Sequence, residues 1–274
     1  MSRQKLGQHF LNNPAWQSRI LEKLPSAPSD IWIEIGAGQG QLTRHLSKRA
    51  RRLIAIETDP ALAENLRTEI SAHPNEWPNV EIAEGDVLSL DLLALTRKAG
   101  LAENEKFRVY GNLPYYITSP ILHHLFQWSD RIASIHIVIQ LEVAQRTAAK
   151  PRSRDYGYLS VACQYYGHPE ISFKIPPGAF RPPPKVDSAL VSMSLPGERV
   201  NLSVRDDASF LRFVQVCFAH KRKTLRNNLR PQDSDENVLN ALAESGLSRD
   251  SRAEELSLAQ FANLNAHFRQ KLDS

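Results

Sequence analysis

The stretch Ile31-Trp32-Ile33-Glu34-Ile35-Gly36-Ala37-Gly38-Gln39-Gly40 decides the fold of this chain. Its first five residues are apolar apart from one acid, a pattern typical of a strand that is buried on both faces. The glycine-rich half that follows predicts a turn, which leads into a predicted helix over Gln41 to Arg49. A buried strand followed by a glycine turn and a helix is the unit with which parallel α/β sheets bind ligands.

Strand-like and helix-like segments continue to alternate along the first two thirds of the chain. The predicted strands cover residues 53–57, 80–83, 107–111 and 133–140, and the predicted helices cover residues 59–71, 88–99 and 120–128. A helix at 156–166, a strand at 170–175, a proline-rich loop at 176–184 and a strand at 188–195 follow. This alternation predicts an α/β fold in which helices cover both faces of a parallel sheet.

The pattern changes after Pro196-Gly197, which is the predicted boundary between two domains. Beyond it, apolar residues recur with the spacing of one helix face at Phe210, Phe213, Val214, Cys217 and Phe218. We therefore predict one domain over residues 1–196 and a second, all-helical domain over residues 197–274.

Composition excludes several classes of protein. Hydrophobic residues make up 42% of the 274 residues, yet no apolar run is long enough to span a bilayer. The N-terminus carries no hydrophobic signal segment, so we expect a cytoplasmic protein. Cys163 and Cys217 are the only cysteines and stand far apart, which predicts neither a disulfide nor a metal site. Nothing in the sequence demands more than a monomer.

Positive charge is concentrated in one part of the chain. Residues 140–230 contain 15 Lys and Arg against 7 Asp and Glu, although the net charge of the whole chain is only +4. Such a region favours contact with a polyanion, and a solvated surface is the alternative. The candidate phosphate contacts are Arg146, Lys150, Arg152 and Arg154 in a predicted loop, and Lys221, Arg222, Lys223 and Arg226 on a predicted helix.

The spacing of the glycines favours one cofactor over another. Gly36, Gly38 and Gly40 follow a GxGxG pattern, whereas dinucleotide-binding turns use GxGxxG, and this chain has Gln at position 41. Without the last glycine, the turn suits S-adenosylmethionine, which has no pyrophosphate to bind. Glycines such as Gly36 and Gly38 let the backbone approach that cofactor closely.

Acids follow the next two predicted strands. At the end of the second strand, the Glu57 carboxylate can accept hydrogen bonds from both ribose hydroxyls, and after the third strand Asp86 can accept from an adenine amine. The alternatives are a charge at a helix N-terminus for Glu57 and a helix cap for Asp86. Because open α/β sheets bind ligands at the carboxyl ends of their strands, the joint placement favours a cofactor site.

The tetrad Asn112-Leu113-Pro114-Tyr115 follows the strand at 107–111 and suits alkylation of the exocyclic amine of a nucleobase. That amine is a poor nucleophile because its lone pair is delocalised into the ring. The Asn112 side-chain oxygen and the Leu113 carbonyl can accept its protons and stabilise charge that develops only in the transition state. Pro114 stiffens the turn, and Tyr115 offers a ring on which a flipped base can stack. A packed turn is the alternative interpretation.

Motifs along nearly the whole chain carry a resemblance to a known family. They are Gln4-Lys5-Leu6-Gly7-Gln8-His9-Phe10-Leu11, Glu34-Ile35-Gly36-Ala37-Gly38-Gln39-Gly40, Glu57-Thr58-Asp59, Gly85-Asp86-Val87, Asn112-Leu113-Pro114-Tyr115, Phe180-Arg181-Pro182-Pro183-Pro184-Lys185-Val186-Asp187-Ser188 and His220-Lys221-Arg222-Lys223-Thr224-Leu225-Arg226-Asn227-Asn228-Leu229. Together they resemble the ribosomal RNA adenine dimethyltransferases, in particular the branch that acts on small-subunit RNA. The resemblance implies a Rossmann-like class I methyltransferase domain followed by a small C-terminal all-helical domain.

The resemblance also implies cofactor contacts. By it, His9 and Leu11 help to close the cofactor pocket, and Gly36 lies beneath the methionine portion of S-adenosylmethionine. Glu57 holds the ribose of the cofactor, and Asp86 holds its adenine.

Further residues are implied at the target base. Asn112 lies near both the cofactor and the target. Phe180 is the second face of a clamp that sandwiches the flipped adenine opposite Tyr115. The alternative for Phe180 is a core residue that holds down its proline-rich loop.

By the same resemblance, the protein dimethylates two adjacent adenosines in the 3′-terminal hairpin of small-subunit (16S) ribosomal RNA. The expected substrate is an assembling (immature 30S) subunit rather than naked RNA. One alternative is a large-subunit (23S) RNA methyltransferase of the antibiotic-resistance type; another is an assembly factor with secondary methylation activity. Leu113, the segment 180–188 and the basic segment 221–228 favour the small-subunit branch.

Overall fold

The computed structural model describes residues 9–25 and 27–269. The part of the N-terminal motif at residues 4–8 lies outside the described residues, whereas His9, Phe10 and Leu11 lie within them. Among the helices that are described, none is long and apolar enough to cross a membrane.

Strands and helices alternate through most of the described chain. The strands are β1 (Phe10–Leu11), β2 (Ile31–Ile35), β3 (Arg52–Glu57), β4 (Val80–Glu84), β5 (Phe107–Asn112), β6 (Ile132–Gln140), β7 (His168–Ile175), β8 (Phe180–Arg181) and β9 (Ser188–Ser194). The helices are α1 (Pro14–Lys23), α2 (Thr43–Ser47), α3 (Pro60–Ala72), α4 (Leu92–Lys98), α5 (Thr118–Phe126), α6 (Leu141–Ala148), α7 (Tyr158–Tyr166), α8 (Asp207–Cys217), α9 (Leu225–Leu229), α10 (Asp235–Glu244) and α11 (Leu258–Arg269). Helices α1 and α6 are additional to those predicted.

A seven-stranded sheet forms the centre of the fold, with the strand order β4-β3-β2-β5-β6-β9-β7. Strands β4, β3, β2, β5 and β6 run parallel to one another, and β9 runs antiparallel to β6. All five residues of β2 are buried, as expected for a central strand of a parallel sheet. The predicted α/β class with a mainly parallel sheet is confirmed.

The carboxyl ends of the parallel strands lie at one edge of this sheet. The chain order reverses at β2, because β3 lies on one side of it and β5 on the other. Such a reversal leaves a crevice outside the strand ends, where α/β proteins bind ligands. Gly36 follows β2, Glu57 ends β3, Asp86 follows β4 and Asn112 ends β5. The parallel arrangement therefore brings all four predicted site residues to the same edge.

The chain divides into two compact units. The first takes in the residues up to 144 together with 169–195, and the second takes in residues 145–168 together with those from 196 onward. One division thus falls at Pro196, whereas residues 145–168 group with the C-terminal helices and not with the first domain as predicted.

Hydrogen bonds explain why residues 145–168 belong to the helical unit. The Tyr156 hydroxyl donates to the Leu256 carbonyl at 2.9 Å, and the Tyr165 hydroxyl donates to Asp207 at 2.6 Å. The Gly197 N–H donates to the Tyr166 carbonyl at 2.9 Å. These contacts join segments that are distant in sequence, so no local pattern could have revealed them.

Gly40 closes the turn after β2 in a conformation that favours glycine. Its φ is +79°, in the left-handed region, and a Cβ there would lie 2.6 Å from the Trp77 ring and 2.7 Å from Leu66. Trp77 and Leu66 are themselves buried in one small core cluster. A side chain at position 40 is therefore excluded by both backbone conformation and packing.

We expect Gly40→Ala to lower the free energy of unfolding by about 2–5 kcal/mol, because left-handed strain costs about 1–2 kcal/mol and overpacking about 1–3 kcal/mol. Gly100→Ala is the matched control, since Gly100 has a φ of +93° but open space where its Cβ would lie. Chemical denaturation of both variants separates the two effects. Equal losses of stability would contradict the packing argument.

Glu34 is a carboxyl group buried within β2. The residue is 2% exposed, and its Oε2 atom has no hydrogen-bond partner among the described residues. Burial raises the pKa of Glu34 to about 8, and the neighbouring Glu57 carboxylate adds to the rise. Glu34 is therefore mostly protonated in the folded protein at neutral pH, because a lone buried carboxylate is costlier than a buried carboxylic acid.

This burial predicts a pH dependence of stability. In the unfolded chain Glu34 ionises near its ordinary pKa of 4.5. Between that pH and the folded pKa, unfolding releases a proton, so stability falls with rising pH by up to about 1.4 kcal/mol per unit. In Glu34→Gln this group no longer titrates. The free energy of unfolding of the variant minus that of the unsubstituted protein should therefore increase as the pH rises across this window. Denaturation at a series of pH values measures the difference, and a constant difference would contradict the assignment.

Candidate active site

A cavity of about 300 Å³ opens at the carboxyl edge of the parallel strands, within the first unit. The described residues that line it are His9, Phe10, Ile35, Gly36, Gly38, Ile56, Glu57, Thr58, Asp86, Val87, Leu88, Asn112, Leu113, Pro114, Tyr115, Tyr116, Ile117 and Ile121. Most residues predicted to bind the cofactor or the target base are therefore brought together. Leu11 and Phe180 are the exceptions.

Leu11 and Phe180 are buried beside this cavity. They face each other in the β1–β8 pair, and they are 5% and 2% exposed. Both belong to the core cluster that contains Trp32 and Tyr110. In this conformation Phe180 holds its loop against the core, as the alternative interpretation had it. To stack opposite Tyr115, the Phe180 ring would have to leave the core. The base clamp stays a prediction.

Backbone hydrogen bonds hold the glycine turn against β3. The N–H groups of Gly36 and Ala37 donate to the Ile56 carbonyl at 2.9 and 3.2 Å. The Gly38 N–H donates to Glu57 Oε2 at 2.7 Å. The φ angles of +74° at Gly36 and +59° at Gly38 make this path possible, because glycine adopts the left-handed region without strain.

Glu57 is fixed at the end of β3 through both of its carboxylate oxygens. While Oε2 accepts from Gly38, Oε1 accepts from the Asp59 N–H at 2.9 Å. The residue is only 3% exposed, yet it lines the cavity. Because each carboxylate oxygen has further lone-pair capacity, Glu57 can still accept hydrogen bonds from ligand hydroxyls. This geometry fits the predicted contact with a ribose.

Asp86 is compatible with both interpretations that the sequence left open. Its Oδ1 accepts from the Leu88 N–H at 3.0 Å and so caps the short helical turn at Val87–Ser89. The residue also lines the cavity, and no residue in the described ranges donates to its other carboxylate oxygen. That oxygen is available to accept from an amine.

The tetrad after β5 presents hydrogen-bond acceptors at the cavity. Asn112 Nδ2 donates to the His9 carbonyl at 2.8 Å, which leaves its Oδ1 without a donor among the described residues. The Leu113 N–H donates to the Val138 carbonyl at 3.0 Å, and the side chain of Leu113 is buried. Within the described chain nothing donates to the Leu113 carbonyl. A ligand amine can therefore find two acceptors here.

Tyr115 is held beside these acceptors by contacts at its hydroxyl and its ring. Its hydroxyl shares a hydrogen bond of 2.6 Å with the Ser188 hydroxyl. The His9 ring stacks on it with a centroid distance of 5.6 Å and an interplanar angle of 30°. Nδ1 of His9 donates to the Pro182 carbonyl at 2.7 Å. Burial raises the pKa of Tyr115, so its phenol is neutral and is not available as a base.

The electrostatics of the cavity distinguish two classes of cofactor. Its described lining contains the carboxylates of Glu57 and Asp86 and neither Lys nor Arg. Such a lining offers no cation to the pyrophosphate of a dinucleotide, and it attracts a cationic ligand. Ile56, Val87 and Leu88 add apolar surface that suits an adenine ring. These residues therefore fit S-adenosylmethionine, whose sulfonium carries a positive charge.

Sequence reasoning missed several apolar residues of the lining. The Phe10 ring lies 3.0 Å from where a Cβ at Gly38 would be, so it packs directly on the glycine turn. Phe10 belongs to the N-terminal motif of the chain, but its contact with the glycine turn depends on the β1–β8 pairing, which the sequence does not show. Val87 could have been inferred, because it directly follows Asp86 at the strand end.

The predicted phosphate contacts all belong to the second unit. The exposed members are Arg146, Lys150, Arg152, Arg154, Lys221, Arg222 and Lys223. Lys221 Nζ donates to the carbonyl of Arg154, which joins the two predicted clusters.

The basic segment differs from the prediction in two ways. Residues 221–223 lie in the turn between α8 and α9, and Thr224 caps α9 by accepting from the Asn227 N–H. Arg226 donates to both carboxylate oxygens of Asp235, at 2.8 and 2.5 Å. Its guanidinium therefore belongs to an ion pair between α9 and α10 instead of standing free for phosphate.

Known proteins resemble this chain over nearly its whole length. A relative from Koribacter versatilis is 41% identical over 273 residues, which is 97% of this chain and 94% of the relative. One from Acidobacterium capsulatum is 43% identical and covers 95% and 89% of the two chains. One from Salmonella typhimurium is 36% identical and covers 96% and 92%. Each is named ribosomal RNA small subunit methyltransferase A.

Solved structures confirm the predicted methyltransferase fold. A dimethyladenosine transferase from Plasmodium falciparum has a TM-score of 0.77 at 23% identity and covers 96% of this chain and 98% of its own. The 23S rRNA methyltransferase ErmE has a TM-score of 0.65 at 28% identity, with coverages of 95% and 100%.

The family model described as ribosomal RNA adenine dimethylase matches residues 1–270. That match agrees with the acidic cavity and with the acceptors at its wall, and it makes S-adenosylmethionine the methyl donor. The chain belongs to the ribosomal RNA adenine dimethylase family.

Proposed function

We propose that this protein dimethylates the N6 amines of two adjacent adenosines in the 3′-terminal hairpin of small-subunit ribosomal RNA. Bound S-adenosylmethionine supplies an electrophilic methyl group on a cationic sulfur. The observation that carries the proposal is the pair of acceptors at Asn112 and Leu113, which no described residue satisfies, at the wall of a cavity that fits this cofactor.

The acceptors address the weak nucleophilicity of the adenine amine. Hydrogen bonds from the amine to Asn112 Oδ1 and to the Leu113 carbonyl draw its protons out of the ring plane, which frees the lone pair for in-line attack. As the nitrogen becomes positive, the same acceptors bind it more strongly, so they stabilise the transition state more than the ground state. No protein base is required, because the proton of the alkylated amine is acidic enough to pass to water.

Asn112 is preoriented for this task. Its Nδ2 atom already donates to the His9 carbonyl, so the oxygen end of the amide is the one left for the substrate. A preoriented acceptor does not reorganise during the reaction, which is the source of its catalytic effect.

Tyr115 offers a stacking surface for the extruded base. Chemistry on a base within a paired strand requires the base to leave the stack. The hydroxyl of Tyr115 is anchored to Ser188, so the ring is held in one orientation beside Asn112. The His9 ring covers one face of Tyr115, and the adenine would stack on the remaining face or take the place of His9.

The relatives favour the small subunit as the source of the substrate. Those at 36–43% identity carry small-subunit names, whereas the 23S methyltransferase ErmE is 28% identical. We extend this to an immature 30S particle, because the exposed cations of the second unit offer contacts beyond the target nucleotide. We also propose a monomer, since nothing in the sequence demands more than one chain.

Asn112→Ala should lower kcat for methyl transfer about 10²–10³-fold, the loss seen when one fixed hydrogen-bond partner of a developing charge is removed. The assay is reaction with small subunits from an unmethylated source, followed by mass mapping of dimethyladenosine. Asn201→Ala removes an amide outside the cavity and serves as the control.

Three results of that assay discriminate the alternatives. Dimethyladenosine found in large-subunit RNA contradicts the proposed substrate. Full activity of Asn112→Ala contradicts the proposed mechanism. If Asn112→Ala supports normal subunit maturation while methylation is lost, binding rather than catalysis is the principal role.

RNA affinity should fall steeply with salt, because phosphate contacts release counterions. Replacing both Arg222 and Lys223 with Ala should reduce the slope of log Kd against log salt by about 0.7–0.9 for each phosphate that is no longer neutralised. Arg226→Gln is the control, since that guanidinium is bound to Asp235 and its removal should leave the slope unchanged. A flat salt response of the unsubstituted protein would count heavily against RNA binding by these cations.

A further inference from the structure

An aromatic side chain stands exposed beside the cavity without a packing role. The large hydrophobic side chains exposed among the described residues are Tyr116, Val186 and Val200, at 64%, 46% and 63%. Tyr116 lines the cavity, next to Tyr115. Val200 belongs to the second unit. Exposure of a tyrosine ring at the mouth of a ligand site indicates a contact surface rather than a core position.

Val186 is held near the same mouth by the loop that carries it. One end of this loop is fixed at Pro182, whose carbonyl accepts from His9 Nδ1 at 2.7 Å. The other end is fixed at Ser188, whose hydroxyl shares a 2.6 Å hydrogen bond with Tyr115. Because His9 and Tyr115 both line the cavity, the loop between these two anchors lies along its edge.

Positive charge without an ion-pair partner lies in this loop and directly before it, at the end of β8. Arg181 and Lys185 are exposed, and no ion pair to either occurs within the described ranges. The acid of the loop, Asp187, is bound to Lys174 at 2.7 Å. The charges left free at this edge are therefore positive. We call Tyr116, Arg181, Lys185 and Val186 together the rim.

We propose that the rim binds the nucleotide adjacent to the target adenosine, with its base stacked on Tyr116 and its phosphates near Arg181 and Lys185. The inference rests on the proposed function and extends it from the target base to the RNA strand that carries it. When one base enters the cavity, its backbone stays at the mouth, so the neighbouring nucleotide lies at the rim. An aromatic ring beside unpaired cations is the combination that single-stranded nucleic acid prefers.

The rim gives the enzyme a way to recognise single-stranded context. Any base can stack on tyrosine, but only when it is not paired and stacked within an RNA helix. Any unpaired base can stack on a tyrosine, so the same ring can take the neighbouring nucleotide whichever of the two adjacent adenosines is in the cavity.

The first test is the kinetics of methyl transfer to unmethylated small subunits. Tyr116→Ala should lower kcat/KM about 5- to 150-fold, mainly through KM, since it removes base–aromatic stacking of about 1–3 kcal/mol per base. Tyr116→Phe keeps the ring and should keep the activity. Val200→Ala removes an equally exposed apolar side chain in the second unit and should have no effect. Equal KM values for Tyr116→Ala and the unsubstituted protein would overturn the proposal.

The second test reads stacking directly. Hairpin RNAs carry 2-aminopurine on one or the other side of the target adenosine, and binding should quench its fluorescence with the unsubstituted protein and Tyr116→Phe. Loss of the quenching with Tyr116→Ala supports the proposal, and quenching that persists overturns it. If Tyr116→Ala binds this RNA normally and fails only on ribosomal particles, the rim contacts a ribosomal protein and the proposal is wrong.

The two proposals fail in different ways. If the unsubstituted protein methylates no adenine in small-subunit RNA, the proposed function fails. If it does, and the Tyr116 variants match it in both tests, the rim alone fails. The affinity for S-adenosylmethionine is measured by calorimetry and should be equal in all variants. Equal affinities show that a loss of activity reflects contact with the RNA and not with the cofactor.

Discussion

The hydrogen bond from the Gly38 N–H to the Glu57 carboxylate is the contact on which the site depends. It fixes the turn after β2 to the end of β3, so that a flexible glycine segment has one conformation beside a rigid strand. The same carboxylate also holds the Asp59 N–H, where α3 begins. One buried acid therefore orders the strand end, the helix start and the glycine turn, which together form the proposed cofactor side of the cavity.

The proposed substrate side of the cavity is assembled by contacts between segments that are far apart in the chain. His9 accepts from Asn112 across 103 positions and donates to Pro182 across 173. Ser188 anchors Tyr115 across 73 positions. These bonds decide which atoms stay available, because Asn112 uses its donor on His9 and keeps its acceptor. The reactive geometry is thus a consequence of which hydrogen bonds the protein has already satisfied.

Much of the cofactor site could be predicted because it obeys a rule of topology. Once β2, β3, β4 and β5 are recognised as parallel strands, their carboxyl ends must share an edge, and residues such as Glu57 and Asp86 must meet there. Phe180 follows no such rule. It sits in a proline-rich loop whose position depends on the β1–β8 pair, so the sequence could not show that its ring is buried in the core. Arg226 is similar, since only the approach of α10 reveals Asp235 as its partner.

The α/β class, the type of cofactor and the family could be predicted from the amino-acid order alone, because each is encoded in short patterns whose spacing has a direct physical meaning. The three-dimensional structure was needed to show that residues 145–168 join the helical unit, that Phe180 and Leu11 are buried, and that Tyr116 stands exposed at the cavity mouth. Burial and pairing depend on what the rest of the chain brings near a residue. That neighbourhood is set by packing over the whole fold and is not written in any one segment.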